Sequence, residues 1–177
     1  MHITVYLGAS RGNDPELERA VRELGRWIGT SGNALVYGGS KTGLMGRLAR
    51  SVLEAGGQVP GVEPQFFMDA GFQYDGLTEL IVAKDMAERK QKMIELADAY
   101  VALPGGPGTL DEISEVICLA RLGIENKACV LFDTDGYYQA LKKIFEEMVE
   151  VGFSEKEDFK RVLVSADLDE IERFIEQ

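Results

Sequence analysis

Residues 99–112 read AYVALPGGPGTLDE: an apolar run, then a turn built from two prolines and three glycines, then a threonine and two carboxylates that open an amphipathic segment. The run Ala99, Tyr100, Val101, Ala102 is apolar without alternation, the pattern of a strand covered on both faces in a parallel sheet. Six further runs have the same character: ITVYLG (3–8), ALVYGG (34–39), QVPGVE (58–63), ELIVAK (79–84), ACVLFD (128–133) and RVLVS (161–165). Helical patterns separate them. The first has Asp14 as N-cap and Pro15 at the first helical position, with Leu17, Ala20, Val21, Leu24, Trp27 and Ile28 on one face. Others are predicted over Gly43–Ala55, Asp85–Ala97, Thr109–Leu122 and Tyr137–Val151, and from Asp167 to the end. This alternation predicts an α/β fold, a Rossmann-like three-layer α/β/α sandwich around a mostly parallel, doubly wound sheet, with residues 1–177 as a single domain. Residues 63–76, EPQFFMDAGFQYDG, fit neither period and hold three Phe and one Tyr. They read as a flap over a site, an oligomer contact or a loop folded onto the core.

A composition of 45% hydrophobic and 28% charged residues is that of a soluble globular protein. No apolar run approaches the roughly 20 residues of a membrane span. The N-terminal residues MHITVYLGAS pass straight into a strand pattern, which makes the cytoplasm the expected compartment. The net charge of −11 repels a phosphate backbone, so nucleic acid is not an expected partner, while a small anionic ligand held by backbone amides and a few cations is. Cys118 and Cys129 fall within apolar patterns and read as buried thiols.

Ligands of an open parallel sheet bind beyond the carboxyl ends of its strands, near the point where strand order reverses. Three glycine-rich turns fall at such ends: LGASRG (7–12), YGGSKTGLMG (37–46) and LPGGPGT (103–109). Glycine lets backbone come close to a ligand, and the helix that follows offers free amides and the positive end of its dipole, so phosphate is the natural guest. None of the turns is a P-loop or a GxGxxG fingerprint, and the second strand ends without the acidic residue that holds an adenosine ribose; a dehydrogenase is disfavoured. Thr109 and Glu112 fit the T-x-x-E capping box, and the same spacing sets a carboxylate one turn inside a helix that faces the ligand edge. Glu115 reads as solvent-facing or structural. The stretch KDMAERKQKM (84–93) carries four cations, of which Arg89 and Lys90 lie about one turn in from a strand end. Arg89 is suited to bidentate capture of an anion.

The motifs GGSKTGLMG (38–46), DMAERK (85–90) and PGGPGTLDE (104–112) resemble, in order and over most of the chain, the Lonely Guy family of cytokinin riboside 5'-monophosphate phosphoribohydrolases, often misnamed lysine decarboxylases. The resemblance implies a Rossmann-like homodimer that hydrolyses the N-glycosidic bond of a nucleoside 5'-monophosphate without a metal or redox cofactor. By resemblance Glu112 is the catalytic carboxylate and Arg89 its partner. Gly105, Gly106, Gly108 and Thr109 would cradle the phosphate with Lys90, and Gly39, Ser40, Gly43, Met45 and Met86 would line the pocket beside them. Ala87 stands where many members have histidine, and Ser40 where many have a third glycine; both bear on base preference more than on chemistry. Glycosidases generally use two carboxyl groups, and no donor to the leaving base is assigned, with Asp85, Glu88 and Glu115 as candidates. Two other functions are weighed. A nucleotide or molybdenum-cofactor carrier would bind without turnover, and a pyridoxal phosphate decarboxylase would need Lys41, Lys84 or Lys90 as Schiff base.

Overall fold

The computed structural model describes residues 1–177. Seven strands alternate with seven α-helices: β1 (His2–Tyr6), α1 (Pro15–Thr30), β2 (Ala34–Val36), α2 (Gly43–Glu54), β3 (Pro60–Pro64), α3 (Gln65–Asp69), β4 (Glu79–Ala83), α4 (Met86–Leu96), β5 (Ala99–Ala102), α5 (Pro107–Arg121), β6 (Ala128–Phe132), α6 (Gln139–Glu150), β7 (Val162–Ser165) and α7 (Leu168–Ile175). Every strand pairing is parallel, in one sheet of order β2-β1-β5-β6-β7 and a pair β3-β4. Isolated bridges Ala34↔Gln58 and Tyr37↔Gly61 join β2 to β3 and make the seven strands one surface. The fold is the α/β sandwich that the alternation predicts.

The apolar residues that mark the strands fill the space on both sides of the sheet. On one side Leu24, Ile28, Leu48, Val52 and Ile171 of α1, α2 and α7 pack on Ile3, Leu35 and Val130. On the other, Met93, Ile113 and Ile117 of α4 and α5 cover Tyr100, Cys129 and Leu131. The central strands β1, β2, β5 and β6 are buried along almost their whole length, whereas β4 and β7, at the two edges, are only partly covered.

Strand order reverses between β1 and β5, so the chain leaves these two neighbours in opposite directions and opens a crevice above their carboxyl ends. All three glycine turns leave strands at that edge. They interlock: a Cβ on Gly43 (φ +53°) would lie 1.9 Å from the Ala9 carbonyl oxygen, and one on Gly105 would lie 2.8 Å from the Gly8 nitrogen.

Four sequence expectations are corrected. Helix α5 begins at Pro107, with Gly106 as N-cap, and not at Thr109. Proline fits the first helical position because its fixed φ suits the helix and its missing N–H has no partner there to lose. Thr109 therefore sits inside the first turn, and no side chain caps the helix. Helix α6 starts at Gln139, two residues later than predicted, because a 3-10 turn over Thr134–Gly136, with Asp135 at φ +52°, precedes it. Residues 63–76 contain the end of β3 and the short α3, after which the chain straps onto the second glycine turn through Lys41 N–H to Phe72 O (2.8 Å) and Tyr74 N–H to Gly39 O (2.9 Å). Cys129 is buried, but Cys118 is exposed, on a stripe of α5 with Leu110 and Ser114, continued by Leu122 at the C-cap, that this chain leaves uncovered.

Candidate functional site

A cleft of about 350 Å³ lies at the switch point. Each glycine turn contributes to it: Gly8 and Ala9 after β1, Gly38, Ser40, Thr42 and Met45 after β2, and Gly106, Gly108 and Thr109 after β5. Phe67, Phe72 and Met86 form an apolar wall, and three charged side chains complete the lining, Glu63 from β3, Arg89 from α4 and Glu112 from α5.

Arg89 is the hub. Its Nε donates to the Val62 carbonyl (3.1 Å) and its Nη1 to Glu112 Oε1 (2.6 Å), with both side chains almost closed to solvent, at 5% and 8% exposure. This bond fixes where the Glu112 carboxylate points; a capping box plays no part. Burial pushes the Glu112 carboxyl above its ordinary range, even against the opposing pull of the Arg89 guanidinium. Gly38 makes room for the pair, since a Cβ there would lie 2.1 Å from Arg89 Nη2.

Gly106 and Gly108 have a different reason to be glycine. A Cβ at either would meet nothing within 4 Å, so the fold does not require glycine at these positions. They stand at the N-terminus of a 15-residue helix, where free amides and the helix dipole favour an anion. Thr109, in the same turn, is buried and packs against Gly105, whose carbonyl accepts from the Tyr137 hydroxyl at 2.5 Å. Ser40 Oγ lies 2.9 Å from Thr42 Oγ1 and accepts from Thr42 N–H at 3.2 Å, so the serine side chain shapes its own turn.

Of the sequence-predicted site residues, Arg89, Glu112, Ser40, Met45, Met86, Gly106, Gly108 and Thr109 line the cleft. Gly39 and Gly43 support it from behind, and Gly105 borders a neighbouring depression with Gly8 and Tyr137. Lys90 lies elsewhere: its ammonium sits 2.9 Å from both Asp111 and Glu115, which hold it above the ordinary lysine range. One residue turns a helix by about 100°, so Arg89 and Lys90 leave α4 on different sides. The three candidate donors to a leaving group are also outside the cleft. Asp85 caps α4 through Glu88 N–H (2.9 Å), Glu88 accepts from Lys84 N–H (2.6 Å), and Glu115 pairs with Lys90. Lys41 and Lys84 do not line the cleft either, and Ala87 is exposed away from it. No cluster of three or more His, Cys, Asp or Glu side chains is placed to hold a metal ion.

Sequence reasoning does not single out Glu63, Phe67 and Phe72 as site residues, although one of its readings of segment 63–76, which holds all three, is a flap over a site. The signal for Glu63 was an acid at the carboxyl end of an otherwise apolar strand, in a place where burial on both faces should exclude one.

Residues 45–175 match the family model described as "Possible lysine decarboxylase". The cytokinin riboside 5'-monophosphate phosphoribohydrolase of Rhodococcoides fascians is 42% identical over 168 residues, 94% of this chain and 85% of that protein. The chain belongs to the Lonely Guy family. A second Lonely Guy relative, cytokinin riboside 5'-monophosphate phosphoribohydrolase LOG5 of Arabidopsis thaliana, is 40% identical over 164 residues, covering 93% of this chain and 72% of its own length. Among solved structures, the molybdenum cofactor carrier protein of Chlamydomonas reinhardtii superposes with a TM-score of 0.76 over 99% of this chain and 98% of that one. At 23% identity this likeness shows the fold that the Lonely Guy chain shares with the carrier and nothing more.

Proposed function

We propose that this protein hydrolyses the N-glycosidic bond of a nucleoside 5'-monophosphate, such as a cytokinin riboside 5'-monophosphate or AMP, giving the free base and ribose 5-phosphate. The observation that carries the reading is the buried Arg89–Glu112 pair at 2.6 Å, set in the cleft where three glycine turns meet. Relatives about 40% identical over most of the chain that bear the phosphoribohydrolase name support it.

In this reading the phosphate is held at the start of α5, by the open backbone of Gly106 and Gly108 and by Thr109. The ribose then lies beside Glu112, one turn further into the helix, and the base against Phe67, Phe72, Met45 and Met86. Loss of the base leaves an oxocarbenium-like sugar, which the fixed carboxylate of Glu112 stabilises and which water attacks. Arg89 holds that carboxylate in place and favours its ionised form. Lys90 acts through Asp111 and Glu115, tying α4 to α5, and not on the phosphate directly.

The chain works as one domain, and as a homodimer in the cytoplasm. Uncovered apolar residues support the pairing: Leu110 on α5, Leu122 at its C-cap, and Ile124, Val151 and Phe153 beyond it, are 48–74% exposed. Arg121 donates to the Phe153 carbonyl at 2.8 Å, which brings the ends of α5 and α6 into one patch. No helix is long and apolar enough to cross a membrane. Product analysis over purine and pyrimidine 5'-monophosphates, including N6-substituted adenines, tests the activity; release of no base from any of them refutes it.

A further inference from the structure

Glu63, next to last in β3, is an anomaly of this site. Its side chain is fully buried, it lines the cleft, and neither carboxyl oxygen has a hydrogen-bond partner. The second glycine turn closes over it, since a Cβ on Gly39 (φ +78°) would stand 3.0 Å from Glu63 Cβ and 3.3 Å from Oε2. Tyr37, which follows β2, Lys41 of that turn and Arg89 of α4 are the titratable and charged groups that face it. None donates to it: Arg89 is bonded to Val62 and Glu112, and the Tyr37 hydroxyl is bonded to the Ser40 carbonyl. An ionised carboxylate buried without a donor is costly, so the neutral acid is the form that suits this place. Burial accordingly pushes the Glu63 carboxyl above its ordinary range, against the pull of Arg89 and Lys41.

Glu63 and Glu112 are the only carboxyl groups that line the cleft, and their surroundings differ in kind. Glu112 has a guanidinium at 2.6 Å, which favours its ionised form, whereas Glu63 has no donor at all. Two carboxyls so separated divide the acid and charge-stabilising roles of a glycosidase. We propose that Glu63 is the proton donor to the leaving base. The inference rests on the phosphoribohydrolase reading. The C1'–N bond breaks with its electron pair going to the base, while the Glu63 proton passes to a ring nitrogen and leaves Glu63 as a carboxylate. Water adds its oxygen to C1' beside Glu112 and loses one proton to solvent, from which Glu63 is reprotonated. One water is consumed and no other reactant is needed.

The test compares wild type and Glu63→Gln on AMP and on 4-nitrophenyl ribofuranoside 5-phosphate, whose nitrophenolate departs without a proton. General acid catalysis contributes about 100-fold or more, so kcat on AMP should fall by that factor and kcat on the nitrophenyl substrate by less than about threefold. On AMP, wild-type kcat should fall as pH rises and Glu63 loses its proton, and Glu63→Gln should lack that alkaline limb. The ratio of rates on one preparation is independent of the fraction folded, and Glu63→Met gives the same comparison if the glutamine variant is unstable. Equal losses on both substrates, or no loss on AMP, overturn the donor role and leave the phosphoribohydrolase reading intact. A wild-type protein that cleaves neither substrate overturns both.

Discussion

Replacing Arg89 with methionine removes the partner of a buried charge. Glu112 is 8% exposed and receives its one charged hydrogen bond from Arg89 at 2.6 Å, so Arg89→Met leaves a carboxyl with no counter-charge in its buried place. Such a group escapes by taking up a proton on folding. The electrostatic cost is then capped at about 1.4 kcal/mol for each pH unit above the ordinary carboxyl value of 4.5, or about 3.4 kcal/mol at pH 7, less whatever burial already costs the wild type. Loss of the Arg89–Val62 bond adds about 1 kcal/mol. The expected net loss is about 2–4 kcal/mol at pH 7, in line with the roughly 3–5 kcal/mol for breaking buried pairs. The sign with pH follows. Above pH 4.5 the unfolded carboxyl has released a proton that the folded variant retains, so the variant's stability falls as pH rises and the penalty shrinks on acidification. Urea unfolding of wild type and variant at pH 7 and 5.5 should show the gap narrowing by about 1 kcal/mol or more. A gap under about 1 kcal/mol at pH 7, or one equal at both pH values, would refute the reasoning.

Gly108→Ala fills open space inside a helix, so Tm should rise by a few degrees while KM for the nucleotide increases; a fall in Tm would show a structural need for this glycine. Gly43→Ala does the opposite, since its methyl would stand 1.9 Å from the Ala9 carbonyl at φ +53°, and unfolding should show a loss of about 3 kcal/mol or more. Glu112→Gln should lower kcat by about 100-fold with KM changed by only a few-fold, because the carboxylate acts on the charge that develops as the bond breaks; a change confined to KM would assign it to ground-state binding.

Much of this architecture is legible in the chain because it rests on local rules. Doubly buried strands show as apolar runs at Ile3–Leu7, Tyr100–Leu103 and Cys129–Phe132, and Asp14–Pro15 marks the start of α1, where Asp14 accepts from Glu16 N–H at 2.8 Å. The glycine turns, Arg89 and Glu112 are legible too, since each lies in the turn after a strand or in the first two turns of the helix that follows it. What escapes local reading depends on the direction of a side chain or on a distant neighbour. Lys90 follows Arg89 directly yet meets Asp111 and Glu115 of α5, 21 and 25 positions on. Thr109 and Glu112 have capping-box spacing, but Pro107 starts the helix two residues earlier and leaves Glu112 to Arg89. Cys118 has apolar neighbours in sequence and lies on the face of α5 that this chain does not cover. Glu63 reads as the polar end of a strand, and only the packing of the second glycine turn over β3 makes it a buried acid without a partner.

The central claim is that this cleft cuts the bond between base and sugar and keeps the phosphate on the sugar. Phosphorus NMR of AMP incubated with the wild-type protein, with chromatography of the bases released, tests it most directly. Ribose 5-phosphate and adenine should appear in equal amounts; adenosine with inorganic phosphate, or AMP that stays intact alongside every other nucleotide tried, would contradict it.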